Sequence, residues 1–232
     1  MTKPALFLLP GLMCDARMWT PQIAAFEEHH DIQVADFRAF DRFEAMAQSM
    51  LDSAPERFAL AGHSMGARVA MMIAAMAPER VERLALFDTA AHPPAPHEKD
   101  SRGALVALGY AEGMEAVANA WLPPMLHPDH RGDHPVHREL RQMVLDMTPD
   151  IYDRQTRALL HRPDARPGLM DIGCPTLIGV GRQDEWSPVS RHEELAALIT
   201  GSVLTIFEQS GHMAPREAPE AVTAAMRDWL AA

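Results

Sequence analysis

The sequence predicts an α/β fold with a mostly parallel central sheet, flanking helices and a helical cap insert. Short apolar runs alternate with helical patterns at both ends of the chain, which indicates parallel strands joined by helical crossovers. The alternation stops between residues 91 and 171, where helical patterns follow one another without a strand. A serine bracketed by glycines, at residues 62–66, joins one strand pattern to a helix pattern. These observations predict a sheet whose carboxyl edge lies beneath a cap.

Six apolar runs have the length and composition of buried strands. They are residues 6–9, 32–35, 58–61, 84–87, 176–180 and 203–207. The last segment, residues 219–230, begins with a proline and carries an apolar stripe at helical spacing. We predict from this stripe a surface helix that docks on the sheet.

The segment from residue 91 to residue 171 is too long to be a simple connection between two strands. It opens with a proline-rich loop at residues 92–96, and apolar residues at helical spacing follow this loop. We therefore predict an α/β core of residues 1–90 and 172–232 and a helical cap of residues 91–171. Because ligands of open α/β sheets bind at the carboxyl edge, the cap is expected to cover the site.

Composition limits the classes of partner. The 232 residues suffice for one medium domain with an insert, and 47% hydrophobic with 23% charged residues is ordinary for a globular protein. A net charge of -11 argues against nucleic acid and against an anionic membrane, since either partner would need a basic face. A small molecule is therefore the expected partner, and the chain is expected to be a monomer or a small homo-oligomer.

Cellular location is inferred from the cysteines and from the N-terminal run. Cys14 and Cys174 lie far apart and outside any metal-binding spacing, as expected for free thiols in a reducing compartment. Pro10 and Gly11 break the apolar run at residues 5–9, which favours a strand over a signal sequence. No segment has the roughly 18 apolar residues of a membrane span. These observations predict a cytoplasmic protein.

The pentapeptide Gly62-His63-Ser64-Met65-Gly66 has the small-x-Ser-x-small pattern of a nucleophile elbow. In such a turn, side chains two residues before and two residues after the serine would collide with their neighbours, and glycine meets that steric requirement. The turn presents the serine hydroxyl to solvent instead of packing it. Ser64 is therefore predicted to be a catalytic nucleophile.

A serine hydroxyl needs a base and an orienting carboxylate before it can attack a carbonyl. Among twelve histidines, His212 is the predicted base because its loop follows the last strand and can reach the carboxyl edge. His63 is next to Ser64, but it is expected to point the other way and to pack. Asp184 follows the fifth strand and gives the chain order Ser, Asp, His. Asp88 also fits that order and stays an alternative acid; otherwise it is expected to be a loop or cap-contact residue.

Acyl transfer also requires donors for the negative charge that develops on the carbonyl oxygen. The amide of Met65 begins a helix whose dipole favours negative charge at that end. The amide of Leu12 belongs to the loop after the first strand, where Gly11 lets the backbone approach closely. We therefore predict that the Leu12 and Met65 amides form an oxyanion hole.

With these motifs in this order, the chain resembles the α/β-hydrolase superfamily, and in particular its capped small serine esterases and lactonases, such as pimeloyl-carrier methyl ester esterases and enol-lactone hydrolases. The resemblance covers nearly the whole chain and rests on the elbow, the Pro10-Gly11-Leu12 loop, the acid loop at residues 181–188 and the histidine loop at residues 210–215. Many members have His-Gly instead of Pro10-Gly11, and a second glycine instead of Ala67. The resemblance implies an α/β-hydrolase fold with a helical cap. No cofactor is expected.

Methionine is frequent, with sixteen residues, and several of them lie in or near the predicted cap. Methionines at helical spacing often fill cores, but as a group they would also form a pliable apolar pocket. The predicted substrate pocket consists of Met13, Trp121, Met125, Met143, Met147, Trp186 and Met213.

Residues 127–137 hold four histidines and two aspartates, yet their prolines and glycine favour an exposed loop, so no metal site is predicted.

The predicted function is that of a serine hydrolase that cleaves small, fairly apolar carboxylic esters through an acyl-enzyme on Ser64. A lactonase, or a hydrolase of carbon-carbon bonds in ring-cleavage products, would use the same three residues. Carbon-carbon cleavage would call for cap groups that bind a substrate carboxylate, and Arg138 or Arg154 could serve. A non-catalytic ligand-binding receptor with the same fold is an alternative of another class, which the complete set of three residues disfavours.

Overall fold

The computed structural model describes residues 3–232, and these contain one six-stranded sheet. The strands are β1 (Ala5–Leu9), β2 (Asp31–Val34), β3 (Phe58–His63), β4 (Val81–Phe87), β5 (Thr176–Gly181) and β6 (Val203–Phe207). Their order is β2-β1-β3-β4-β5-β6, and every neighbouring pair is parallel. All six predicted strands are present, with β4 beginning earlier than expected. The predicted fold class is confirmed.

The burial of the strands explains why they are continuous apolar runs rather than alternating ones. Every residue of β3 and of β5 is buried, because helices cover both faces of a parallel sheet. The edge strands β2 and β6 are mostly half-buried or exposed. The strands β3, β4 and β5 are neighbours in the interior of the sheet, and because they are parallel, their carboxyl ends lie at the same edge.

Helices separate most of the strands along the chain. They are α1 (Thr20–Phe26), α2 (Phe43–Ser53), α3 (Met65–Met76), α4 (Glu98–Glu112), α5 (Met114–Trp121), α6 (Pro135–Leu145), α7 (Pro149–Leu160), α8 (Arg166–Leu169), α9 (Val189–Leu198), α10 (Ala214–Glu217) and α11 (Pro219–Ala231). In α11, Val222, Met226 and Trp229 are buried, as its apolar stripe predicts. Among residues 3–232, no helix combines the length and the apolar character that crossing a membrane would take.

Five helices, α4 to α8, follow one another between β4 and β5, where the cap was predicted. A buried ion pair joins the first of them to the end of α7: Arg162 donates to both carboxylate oxygens of Glu98, at 2.9 and 2.5 Å. The Arg162 guanidinium also donates to the carbonyl of His92, in the proline-rich loop, at 3.1 Å. Removing one partner of a buried pair is costly, so this pair holds the ends of the insert together.

Two glycines determine how β3 turns into α3. In the register of β1 with β3, Leu9 pairs with Gly62. A Cβ on Gly66 would lie 2.2 Å from the Leu9 carbonyl oxygen, and a Cβ on Gly62 would lie 2.6 Å from the Ala67 amide nitrogen. Both obstacles are backbone atoms, so no change of rotamer could relieve the clash. The first turn of α3 can therefore approach the end of β1 only without side chains at these positions.

We expect Gly66→Ala to lower the free energy of unfolding by about 3 kcal/mol, since one extra methyl group in a packed interior costs about 1–3 kcal/mol. Gly103→Ala is the matched control, because Gly103 is an exposed helical residue whose Cβ would meet nothing within 4 Å. This control should gain about 0.5–1 kcal/mol from helix propensity. Urea denaturation followed by circular dichroism measures both, and equal stability of Gly66→Ala and the unmodified chain would contradict the packing argument.

Candidate active site

Ser64 occupies the turn between β3 and α3 in a strained backbone conformation. Its φ of 53° and ψ of -112° belong to a region that residues with a side chain rarely adopt. The Ser64 amide donates to the carbonyl of Phe87 at 2.8 Å, and the Thr89 hydroxyl donates to the Ser64 carbonyl at 3.0 Å. These bonds from the end of β4 hold the strained turn and leave the Ser64 side chain at the carboxyl edge of the sheet.

Three predicted residues from three separate loops form one chain of hydrogen bonds. Ser64 Oγ lies 2.8 Å from His212 Nε2, and His212 Nδ1 lies 2.8 Å from Asp184 Oδ2. The other carboxylate oxygen of Asp184 accepts the amides of Trp186 at 2.9 Å and Ser187 at 2.8 Å. Because Asp184 acts as an acceptor throughout, the proton of neutral His212 lies on Nδ1, and Nε2 is left to accept the serine proton.

The environment of Asp184 keeps its carboxylate ionised. Burial by itself would raise the pKa of Asp184, but its electrostatic interaction with the nearby His212 and the hydrogen bond to it lower that pKa below its usual range. Two backbone amides share the same carboxylate. A carboxylate held in this way can orient an imidazole and stabilise the positive charge that forms on it.

Asp88 makes different contacts from those expected. It is fully buried, and its two carboxylate oxygens accept the amides of Gly181 at 3.0 Å and Ala214 at 3.1 Å. Burial, together with the nearby charge of Asp184, raises the pKa of Asp88 well above its usual range. Asp88 lies in the loop directly after β4, as expected, but the expectation of a cap contact is wrong, because both of its partners belong to the core. Asp88 ties the ends of β4, β5 and α10 together beneath His212.

His63 is buried beneath the same histidine. Its Nε2 donates to the carbonyl oxygen of His212 at 2.7 Å, and the two rings are 5.5 Å apart. Burial, and then the proximity of His212, lower the pKa of His63 to about 3. His63 is therefore neutral at physiological pH, and it supports the backbone of His212 instead of contacting the Ser64 hydroxyl.

The predicted oxyanion loop contains two amides without partners. Within residues 3–232, neither the Leu12 nor the Met65 amide donates a hydrogen bond to another group, and both residues line the cavity that contains Ser64. Gly11 brings the loop close to the elbow, since a Cβ there would lie 3.2 Å from Ser64 Cβ. The pair of free donors next to the serine is the arrangement that an oxyanion requires.

Gln155 positions this loop from the cap. Met13 has a φ of 55°, and its amide donates to Gln155 Oε1 at 2.8 Å. Gln155 belongs to α7 and is buried, on a helix face that also contains Tyr152, Thr156, Ala158 and Leu159. A polar residue within a mostly apolar stripe is the sequence signal that could have identified it, because a buried amide side chain requires a partner.

Glu217 links the histidine loop to the cap, and no sequence pattern singles it out. One carboxylate oxygen accepts the amide of Gly211 at 2.8 Å and that of Met213 at 3.3 Å, on either side of His212. The other oxygen accepts the amide of His127 at 2.7 Å and Nδ1 of His130 at 2.9 Å. The backbone of His212 itself donates to the carbonyl of Met125 at 2.7 Å. The cap thus helps to place the histidine.

The histidines of residues 127–137 take part in local hydrogen bonds. His127 and His134 each accept an amide two residues further on, and His137 contacts a backbone carbonyl at 2.6 Å. His130 contacts Glu217, as described above. Over residues 3–232, no cluster of three or more histidine, cysteine or acidic side chains has the arrangement of a metal site. His127 and His134 therefore cap the helical turns that follow them, and His130 bonds the insert to Glu217 of the core.

A cavity of about 530 Å³ opens beside Ser64 and is large enough for a small organic ligand. Four of the predicted pocket residues line it: Trp121, Met125, Trp186 and Met213. Met13, Met143 and Met147 are buried in the hydrophobic core and do not line the cavity. Helical spacing identifies an apolar face, but it does not show which neighbour that face meets.

The lining of the cavity also contains charged residues. They include Arg68, Arg102 and Arg162, here called the arginine wall, together with Glu98. The two arginines proposed from the sequence as carboxylate ligands lie elsewhere: Arg138 is exposed and donates to the carbonyl of Asp133, and Arg154 donates to the carbonyl of Arg38. That expectation is wrong, because charge along a cap helix does not show which side chains turn toward the cavity.

A family model described as the alpha/beta hydrolase family matches residues 6–225 of the chain. Among curated proteins, a biotin biosynthesis bifunctional protein of Cellvibrio japonicus is 25% identical over 252 residues. That alignment covers 99% of this chain and 48% of the relative, so the chain spans about half the length of that protein.

Two solved structures resemble the chain over nearly their whole length. A thermophilic esterase from Thermogutta terrifontis, solved with malate bound, gives a TM-score of 0.88 at 29% identity and covers 99% of this chain and 90% of its own. The enol-lactonase from Burkholderia xenovorans LB400 gives a TM-score of 0.90 at 25% identity, with coverage of 100% and 93%. Both likenesses agree with the predicted fold and with the resemblance drawn from the motifs.

His192 predicts a pH dependence of stability. It is fully buried, its Nε2 accepts the amide of Thr89 at 2.8 Å, and burial lowers its pKa from 6.5 to about 4. Below about pH 6.5 the unfolded chain takes up a proton at this residue, whereas the folded chain does not until about pH 4. The stability associated with neutral His192 is therefore lost progressively as the pH falls through this window.

His192→Gln removes the titration but keeps an acceptor for Thr89. Between pH 7 and pH 5, we expect the unmodified chain to lose about 2 kcal/mol more unfolding free energy than the variant. The raised pKa of Asp88 makes the folded chain gain stability as the pH falls, and the lowered pKa of His63 makes it lose stability. Both residues are present in the unmodified chain and in the variant, so their contributions drop out of the difference between the two. Urea denaturation at the two pH values measures the difference, and equal losses would refute the assignment.

Proposed function

The chain belongs to the alpha/beta hydrolase family, and on this premise we propose that it is a serine hydrolase that cleaves small carboxylic esters. The observation that carries the proposal is the chain of hydrogen bonds from Ser64 through His212 to Asp184, with two distances of 2.8 Å. A base within hydrogen-bonding distance of a nucleophile, itself oriented by a buried carboxylate, is the arrangement that activates a serine. Likeness to the esterase from Thermogutta terrifontis supports the same conclusion.

Acylation begins when an ester carbonyl lies beside Ser64 Oγ. His212 Nε2 takes the serine proton as Oγ attacks the carbonyl carbon, and Asp184 stabilises the imidazolium that results. The electron pair of the carbonyl moves to its oxygen, and the amides of Leu12 and Met65 are the proposed donors to that oxyanion. His212 then gives its proton to the departing alcohol oxygen, which leaves an acyl group on Ser64.

Deacylation repeats these steps with water. His212 Nε2 removes a proton from a water molecule that attacks the acyl carbon, and the second oxyanion meets the same two amides. Collapse of this intermediate returns the proton to Ser64 Oγ and releases the carboxylic acid. Both half-reactions need His212 in one orientation, which the bonds from His63, Met125 and Glu217 to its loop maintain.

Lactones are a second candidate substrate class. A lactone is a cyclic ester, so the same attack by Ser64 opens its ring and leaves the alcohol on the acyl chain. Likeness to the enol-lactonase of Burkholderia xenovorans favours this class. A receptor without turnover is disfavoured, because binding alone does not require a histidine aligned between a serine and a buried carboxylate.

We expect Ser64→Ala to abolish hydrolysis of short p-nitrophenyl esters, with the fold retained, because no other group supplies the attacking oxygen. A fluorophosphonate probe should label the unmodified chain at Ser64 and leave the variant unlabelled. Ser49→Ala is the matched control, since Ser49 is exposed on α2, and it should keep both hydrolysis and labelling. Ester turnover by Ser64→Ala, measured by release of p-nitrophenol, would overturn the proposed function.

The two candidate acids make different predictions. Asp184→Asn is expected to lower kcat by about 10⁴-fold, because the asparagine no longer holds His212 in the tautomer that accepts the serine proton. Asp88→Asn is expected to cost about 1–3 kcal/mol of unfolding free energy through its buried amide partners, with kcat changed by less than tenfold. Steady-state kinetics and urea denaturation of both variants test the assignment. A greater loss of kcat in Asp88→Asn would assign the acid to Asp88.

A further inference from the structure

Arg68 occupies a particular position relative to the serine. It lies in the first turn of α3, where its amide donates to the carbonyl of Ser64 at 3.3 Å. Residues four apart on a helix share one face, and one turn rises about 5.4 Å. Consistent with this, the Arg68 side chain lines the same cavity as Ser64. A guanidinium therefore stands one helical turn from the proposed nucleophile.

The hydrogen bonds of Arg68 are incomplete. Its Nη1 donates to the carbonyl of His92 at 3.0 Å, and this is the only side-chain hydrogen bond that it makes to residues 3–232. Arg162 donates to the same carbonyl oxygen at 3.1 Å, so two guanidinium groups converge on one neutral acceptor. Over the same residues Arg68 forms no ion pair. Four of its five N–H groups are left for solvent or for a ligand.

The carboxylate beside the arginine wall is already in use. Glu98 accepts two hydrogen bonds from Arg162, at 2.9 and 2.5 Å, one from Arg102 at 3.0 Å and one from the Ala95 amide at 3.0 Å. Although burial acts against ionisation, the bonds from Arg162 lower the pKa of Glu98 to about 2. Two arginines of the wall thus share one carboxylate, and Arg68, the third, does not bond to it.

The other charged groups that line the cavity do not compensate Arg68. Arg191 pairs with Glu194 at 3.1 Å, outside the wall. The carboxylate of Asp88 is buried against two backbone amides, and Glu185 is exposed. Burial, and then the charge of Arg162, lower the pKa of Arg68 well below its usual range, with Glu98 opposing them only in part. The cavity therefore has an excess of positive charge in a chain whose net charge is -11.

We propose that Arg68 binds a carboxylate of the substrate, so that the enzyme acts on esters or lactones whose acid part carries a second carboxylate. A planar guanidinium matches a carboxylate with two parallel hydrogen bonds, and burial strengthens that pairing. Since one helical turn separates Arg68 from Ser64, the second carboxylate lies a few carbons from the scissile carbonyl. Half-esters of short dicarboxylic acids, such as glutaric acid, have this geometry. The apolar lining of the cavity, with Trp121, Met125 and Met213, is left for the rest of the substrate.

This assignment rests on the proposed serine hydrolase function, and one pair of substrates tests it. Monomethyl glutarate and methyl pentanoate have acyl chains of equal carbon number and differ in the terminal carboxylate. We expect the unmodified chain to have a kcat/KM at least tenfold higher for the anionic ester, measured by pH-stat titration. Equal values, or a preference for the neutral ester, would overturn the assignment.

Variants of Arg68 show whether the preference comes from this side chain. Arg68→Met, which keeps the length and removes the charge, should lower the ratio of the two kcat/KM values by about 10- to 100-fold, mainly through KM for monomethyl glutarate. Arg68→Lys keeps the positive charge but lacks the planar guanidinium, so its kcat/KM ratio should lie between those of the unmodified chain and of Arg68→Met. Arg138→Met is the matched control, because Arg138 is exposed and outside the cavity, and it should leave the ratio unchanged. An unchanged ratio in Arg68→Met would refute the role of Arg68.

A binding measurement separates this inference from the proposed function. Isothermal titration calorimetry should detect glutarate binding to the Ser64→Ala variant. Binding to the double variant Ser64→Ala with Arg68→Met should be at least tenfold weaker, and circular dichroism verifies the fold of both variants. If glutarate binds through Arg68 but no ester is cleaved, the carboxylate site stands and the hydrolase proposal fails. If Ser64 cleaves neutral esters and the Arg68 change alters neither binding nor the kcat/KM ratio, the carboxylate site alone fails.

Discussion

The close approach of α3 to the end of β1 is the constraint on which the rest of the site depends. It is possible because Gly66 and Gly62 have no Cβ. A Cβ on Gly66 would clash with the Leu9 carbonyl, and a Cβ on Gly62 would clash with the backbone of Ala67 in the first turn of α3. The approach forces Ser64 to a φ of 53° and keeps the Met65 amide at the start of a helix, next to the loop that contains Leu12. The same helix carries Arg68 one turn further on. One steric fit therefore places the proposed nucleophile, a proposed oxyanion donor and a cation on a single rigid element.

The cap contributes to the geometry of the site as well as to its cover. Gln155 holds the loop that carries the Leu12 amide, and the Met125 carbonyl accepts the amide of His212. Glu217 extends this link, because its carboxylate bonds at once to the histidine loop and to the start of the short helix after Met125. Each of these polar groups is buried, so each needs its partner. Changes in the cap that shift these partners should therefore disturb catalysis even where they touch no substrate.

Electrostatics divides the site into two parts with different tasks. Beneath Ser64, His63 and His192 have lowered pKa values and the pKa of Asp88 is raised, so burial leaves Asp184 as the carboxylate that His212 meets in its ionised form. In the lining of the cavity, the arginine wall concentrates positive charge around Glu98. Neighbouring histidines that stay neutral suit proton transfer, because the charge of Asp184 then orients the base. A cationic wall suits the recognition of an anion that takes no part in the chemistry.

Strand runs, glycine sterics and chain order can be read from the chain alone, and they predicted the parallel sheet, the position of the helical insert and the order of Ser64, Asp184 and His212. The sequence also favoured Asp184 over Asp88, although both follow strands. The packing of the elements against one another was needed to show that Asp88 bonds to the core, that Met143 and Met147 do not line the cavity, and that Arg68, rather than Arg138 or Arg154, does line it. Those outcomes depend on which elements pack together in the folded chain. An apolar stripe or a row of charges in the sequence does not show which element it will contact.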